Sequence, residues 1–185
     1  MCPQGMESEG DFKMKKFIPF IIMVMVVLGV LVGVYFVQKS MDESGPPSIM
    51  FSATDRNGTH YSESVFSENK ITMVNMWEPW CGPCVGEMPD LERIYEEHKD
   101  EGFVILGVFS ETGMDEDAYQ VLEEAGITYP ILRMSSEFAA LQTDYVPTTV
   151  FMTGDGRLLM DEPVIGSQSY ASWNAAVMEL LDGLN

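Results

Sequence analysis

Trp77-Glu78-Pro79-Trp80-Cys81-Gly82-Pro83-Cys84 is the stretch on which the reading of this chain turns. Two cysteines three positions apart occur in zinc knuckles, haem attachment and redox centres alike, so the pair alone leaves three chemistries open. Haem attachment needs histidine directly after the second cysteine, and position 85 is Val. Zinc needs two more ligands, whereas His60 and His98 are isolated in the sequence and the third cysteine, Cys2, lies near the start. Redox chemistry fits the surroundings. Upstream, Ile71-Thr72-Met73-Val74-Asn75-Met76-Trp77 is a continuous β-prone apolar run, as expected of a strand buried on both faces. Downstream, from about 84 to 99, Leu91, Ile94 and Tyr95 recur at helical spacing. Cys81 therefore opens a helix, with its sulfur facing unpaired N–H groups and the positive end of the helix dipole, which stabilises a thiolate. Cys84, one turn in, is close enough to form a disulfide and more buried. Gly82-Pro83 suits a helix start, where proline costs no hydrogen bond.

Outward from this centre, strands and helices alternate. Runs 48–54 and 59–62 flank Asp55-Arg56-Asn57-Gly58, and Asn-Gly predicts a tight hairpin between two antiparallel strands. A second buried strand is expected over 103–109 and a helix over 115–125, with Gly126 as its stop. A short strand at 130–134 and a short helix at 137–143 follow. Strands at 148–152 and 158–164 enclose the turn Gly154-Asp155-Gly156. A closing amphipathic helix over 169–184 presents Trp173, Val177, Leu180 and Leu181 on one side. The fold class is α/β, a sheet with helices on both faces.

Within this frame, Trp77-Glu78-Pro79-Trp80-Cys81-Gly82-Pro83-Cys84 resembles the thioredoxin active site. Its extension, Cys84-Val85-Gly86-Glu87-Met88-Pro89, is similar to the exported, membrane-tethered thioredoxin-like family called TlpA or ResA. The resemblance covers about residue 46 to the C-terminus, including the N-terminal hairpin and the added strand–helix material near 111–129. Val146-Pro147-Thr148 matches the cis-proline loop opposite the cysteines. The resemblance implies a thioredoxin-like fold with a central mixed sheet, and a thiol–disulfide oxidoreductase. Cys81 would be the attacking thiolate and Cys84 the resolving thiol. Trp80, Gly82, Pro83, Val146 and cis Pro147 would border the substrate, with no metal and no cofactor. Thioredoxin has a buried Asp six residues before the first cysteine; Asn75 stands there and cannot take a proton. Glu87 matches the family carboxylate that would accept the Cys84 proton. Glu78 replaces a small residue and reads as exposed. Trp80 reads as a surface lid and Pro89 as a helix kink.

Gly-Pro between the cysteines favours a reductant. Its electrons would come from a CcdA/DsbD-like membrane protein, for substrates of the apocytochrome c or methionine sulfoxide reductase type. The competing readings are a disulfide-forming oxidase and a non-catalytic binding module that keeps the fold. No Thr-x-x-Cys peroxidatic pattern is present.

The chain of 185 residues begins with a segment of different character. Positions 17–37 carry no charge and are long enough to span a bilayer as a helix. They lead into Tyr35-Phe36-Val37-Gln38-Lys39 with no Ala-x-Ala site, which favours an uncleaved anchor over a signal peptide. Lys13, Lys15 and Lys16 precede the run and only Lys39 follows, so the N-terminus is expected in the cytoplasm and the rest outside. The expected organisation is a cytoplasmic tail at 1–16, an anchor at 17–37, a linker at 38–47 and a thioredoxin-like domain at 48–185. Met14-Lys15-Lys16-Phe17 itself has the form of a start, which makes 1–13 a candidate start-codon artefact. Of the 10 basic and 29 acidic side chains, 6 and 26 fall after residue 40. So acidic a domain is unsuited to binding nucleic acid.

Overall fold

The computed structural model describes residues 9–42, 49–55, 57–110 and 113–184, with side chains in the first of these segments only for 21–37. The chain divides into two compact units, Met1–Gly45 and Pro46–Asn185. In the first unit, helix α1 (Glu9–Asp42) continues beyond the apolar run at both ends, so 38–42, expected as the start of a linker, is helical. Residues 1–8 of the expected tail, 43–47 of the expected linker and 48, the first of the expected domain, lie outside the described residues. The described side chains at 21–37 are all exposed and none is charged. Among the described residues no helix is long and apolar enough to cross a membrane.

The second unit opens with a hairpin, β1 (Ser52–Thr54) antiparallel to β2 (His60–Ser62). The expected tight hairpin turn is present, but of Asn57 and Gly58 only the glycine has a positive φ. Asp55 N–H donates to the Thr59 carbonyl at 2.9 Å, closing a three-residue loop in which Gly58 takes φ +83°. Gly58 N–H also donates to the Asp55 carbonyl at 3.1 Å, and the left-handed glycine then turns the chain into β2. Asp55 Oδ1 fixes the loop by accepting from the N–H groups of Asn57 and Thr59, each at 2.8 Å. The strands are also shorter than expected. Helix α2 (Ser64–Glu68) follows, unforeseen because only Val65 and Phe66 are apolar and buried.

The main sheet has strand order β5-β4-β3-β6-β7. Strands β3 (Ile71–Met76), β4 (Phe103–Phe109) and β5 (Ile131–Arg133) run parallel, whereas β6 (Thr148–Thr153) is antiparallel to β3. The edge strand β7 is only Val164–Ile165, antiparallel to β6. The expected strand at 158–164 is thus corrected. Thr153 pairs with Arg157 and Met152 bridges Leu158, but the ladder then opens through Met160-Asp161-Glu162-Pro163 and closes again at Val164. Charge and a proline without an N–H account for the gap.

Side-chain alternation on β4 divides the core. Phe103, Ile105 and Phe109 point to one face, where they join Met88, Leu91 and Ile94 of α3 (Gly82–His98) and Trp173, Val177 and Leu181 of α6 (Tyr170–Gly183). Ala118 and Leu122 of α4 (Asp115–Glu124) complete that layer. Val104, Leu106 and Val108 point to the other face, covered by Phe51, by Phe66 of α2 and by Phe138 of α5 (Ser136–Ala139). The Phe51 ring lies 4.8 Å from that of Phe138 and 5.8 Å from that of Phe66. Helices do flank both faces, but those on the second are one turn long.

Gly107 breaks the alternation for a steric reason. A Cβ there would lie 2.5 Å from Ile131 Cδ1 and 3.1 Å from Tyr129 Cε2. Gly107→Ala should cost about 1–3 kcal/mol in a urea melt, and adding Ile131→Val, which removes Cδ1, should recover part of the loss. An unchanged melting midpoint for the single variant would show that β5 yields freely.

Candidate active site

The C-terminal end of β3 delivers the chain to the start of α3. Trp77 N–H still reaches the Val108 carbonyl at 2.9 Å, prolonging the β3–β4 ladder, and the chain turns there. The turn closes where Cys81 N–H donates to the Glu78 carbonyl at 3.0 Å. Cys81 is the N-cap of α3: its backbone is extended and its sulfur accepts from Cys84 N–H at 3.3 Å. The helix begins at Gly82, where the reading of Cys81 as its opening residue puts it, with proline in its first turn and Pro89 accommodated inside it. Cys81 and Cys84 are joined by a disulfide, with Cα atoms 5.3 Å apart. Both are buried, at 5% and 1% exposure, while Gly82 and Pro83 are exposed.

The loop before β6 meets the disulfide. The Val146–Pro147 peptide is cis, and the Val146 carbonyl oxygen lies 3.6 Å from Cys81 Sγ. A disulfide sulfur carries no proton, so this is a contact in the oxidised form and a potential S–H···O bond in the reduced one. The loop is held from within: Thr148 Oγ1 donates to the Tyr145 carbonyl at 2.6 Å, and Tyr145 N–H donates to Thr143 Oγ1 at 3.2 Å. Trp80 and Tyr145 are exposed by 60% and 66%. Trp77 is core, its ring 5.5 Å from that of Phe109.

Glu87 lies on the inward face of α3 and is only 3% exposed. Its Oε1 accepts from Asn75 Nδ2 at 3.2 Å, and its Oε2 accepts from Gln168 N–H at 3.0 Å and Trp173 Nε1 at 3.1 Å. Asn75 is itself held by donating to Thr149 Oγ1 at 3.0 Å. Burial raises the Glu87 carboxyl above the usual carboxylate range; the three hydrogen bonds oppose the shift without cancelling it, and nearby Asp90 adds to it. The structure thus brings Asn75 and Glu87 into direct contact. Gln168 and Trp173 were not foreseen as carboxylate partners. Trp173 carried only its apolar signal, and a backbone N–H carries none.

Glu78 overturns its expected exposure. It is 4% exposed, and its Oε1 accepts from Ser110 N–H at 3.0 Å and Ser110 Oγ at 2.5 Å. Ser110 lies 32 residues away and follows the end of β4.

Residues 45–158 match the family model described as the AhpC/TSA family. A thiol-disulfide oxidoreductase ResA from Oceanobacillus iheyensis is 33% identical over 93 residues, spanning 49% of this chain and 48% of the relative. A protein of the same name from Geobacillus kaustophilus is 28% identical over 127 residues, 67% of this chain and 71% of its own. A crystal structure of a thiol:disulfide interchange protein of the thioredoxin family, from Chlorobium tepidum, matches with a TM-score of 0.65 at 23% identity, over 74% of this chain and 97% of that one. With the Cys81–Cys84 disulfide at the start of α3, the chain belongs to the AhpC/TSA family and is a TlpA/ResA-like thiol–disulfide oxidoreductase.

Proposed function

We propose that this chain is a membrane-tethered, extracytoplasmic reductase of protein disulfides. The observation that carries the reading is the joint placement, at one end of the sheet, of the Cys81–Cys84 disulfide, the Val146 carbonyl beside Cys81, and a buried Glu87 carboxyl one turn beyond Cys84. Cys81 thiolate attacks a substrate disulfide, forming a mixed disulfide and releasing one substrate thiolate. Cys84 gives its proton to Glu87 and attacks Cys81 Sγ, releasing the second substrate thiolate. Two electrons reach the substrate and the Cys81–Cys84 disulfide forms. An extended substrate strand lies along Val146 and Pro147, against Trp80, Gly82 and Pro83. A CcdA/DsbD-like membrane donor returns the electrons. The substrates are exported proteins of the apocytochrome c or methionine sulfoxide reductase type.

The uncharged stretch at 17–37, with three lysines before it and one after, supports anchoring with the N-terminus inside. The full chain should fractionate with membranes and be digested by protease added from outside. Recovery in the soluble cytoplasmic fraction would refute the tether. A measured reduction potential well below about −200 mV supports reduction, and one near −120 mV would reverse the direction of flow.

Glu87→Gln keeps an acceptor oxygen and loses the titration. Turnover should fall about 10²-fold or more, as general acid–base effects of roughly 10²–10⁴-fold imply, while the disulfide still forms. An unchanged rate would remove Glu87 from the mechanism. The same variant tests the burial effect. A folded-state carboxyl raised above its ordinary 4.5 contributes stability that is full below that value and is lost as pH rises through the folded-state value. The wild type should therefore lose stability relative to Glu87→Gln as pH climbs above about 4.5, then level off. A difference that is flat with pH in chemical denaturation would contradict the raised value.

A further inference from the structure

Glu78 is absorbed by none of the chemistry above, yet it sits three residues before Cys81, is buried, and has both its main chain and its side chain engaged. The geometry of the ladder explains what it does. In a parallel pair, the bond from Trp77 N–H to the Val108 carbonyl would be followed by one from Ser110 N–H back to the Trp77 carbonyl. Ser110 N–H goes instead to Glu78 Oε1, and Ser110 Oγ joins it on the same oxygen. The side chain thus extends the sheet past the point where the backbone leaves it, at Pro79, which has no N–H to offer. The Glu78 carbonyl meanwhile receives Cys81 N–H. One residue couples the end of β4 to the turn that carries the N-cap sulfur.

We propose that Glu78 is a positioning residue for Cys81: its tie to Ser110 holds the Trp77–Cys81 turn so that the Cys81 sulfur stays over the first amides of α3. A sulfur kept on those N–H groups is stabilised as thiolate, and one allowed to drift from them is a weaker nucleophile. The interaction is made by an acceptor oxygen, so glutamine can replace it and alanine cannot. Removing the acceptor also leaves Ser110 N–H without its partner at the mouth of the site. The inference rests on the oxidoreductase reading, but its main measurement does not require a physiological substrate.

The test compares Glu78→Ala, Glu78→Gln and Ser110→Ala in the full chain, reduced and then alkylated with iodoacetamide at neutral pH. Cys81 reactivity should fall about tenfold in Glu78→Ala, stay within about twofold of wild type in Glu78→Gln, and fall by an intermediate factor in Ser110→Ala. The thiol–disulfide equilibrium against glutathione should shift in the same order, a tenfold change corresponding to about 30 mV. The double variant Glu78→Ala/Ser110→Ala should be no worse than Glu78→Ala alone. Wild-type reactivity and equilibrium in Glu78→Ala would overturn the proposal. So would a Gln variant as impaired as Ala with an unchanged melting temperature, since that places the effect in the charge. If Glu78→Ala does not fold, Ser110→Ala and Glu78→Gln decide alone, and wild-type behaviour of Ser110→Ala overturns it. Failure of the wild type to reduce insulin disulfides would instead strike at the oxidoreductase reading and leave the alkylation comparison intact.

Discussion

The carboxyl group of Glu87 is the constraint around which the site end of the domain is arranged. A buried carboxylate is costly unless hydrogen bonds replace its water, and no cation faces it among the described residues. Its compensation comes from three separate parts of the fold: the β3 side chain of Asn75, the Gln168 N–H just before α6, and Trp173 within α6. The neighbouring turn of α3 repeats the arrangement, since Asp90 Oδ2 accepts Tyr170 N–H at 3.0 Å. The start of α6 is therefore hung on two carboxyl groups of α3. Beyond these two carboxyl groups, Tyr170 takes the Arg93 guanidinium over its ring at 3.8 Å and donates to Glu97.

Register carries this arrangement to the cysteines. Asn75 pairs with Gly107 on one side and Thr149 on the other, one step before β3 ends. The strand whose amide supports Glu87 thus runs within two residues into the turn that supports Cys81. Thr148, beside Thr149 on β6, closes the loop that sets Val146 against Cys81 Sγ. The Cys81 sulfur, the Glu87 carboxyl and the Val146 carbonyl are referred to the same central strand pair, so a shift of β6 against β3 would displace all three together.

The legible parts of the sequence were those with local causes. The buried run of β3, the helix start at Cys81 and the Val146-Pro147 loop each follow from composition and spacing or from a resemblance carried by contiguous residues. What escaped has partners far along the chain. Glu78 follows a strand and precedes a proline, which suggests a surface turn; only the parallel pairing of β3 with β4 brings Ser110 to it. The stretch 158–164 reads as a strand from Leu158-Leu159-Met160, but its pairing breaks where the chain must accommodate Asp161, Glu162 and Pro163. Helix α2 has too few residues to show a period.

The pairing of Asn75 on β3 with Glu87 on α3 has a chemical consequence of its own. When Glu87 is ionised its surroundings are suitable, because Asn75 Nδ2, Gln168 N–H and Trp173 Nε1–H are all donors. On taking a proton, one of its oxygens becomes a donor and needs an acceptor. A backbone N–H and an indole cannot supply one. Asn75 can, because turning its amide presents Oδ1 in place of Nδ2, and Thr149 Oγ1, its other partner, can donate as readily as it accepts. An aspartate at position 75 would oppose an ionised Glu87, and an apolar residue would leave it without a partner. The amide at 75 suits both protonation states of the carboxyl beside it. An amide that does not titrate is therefore compatible with a neighbour that does.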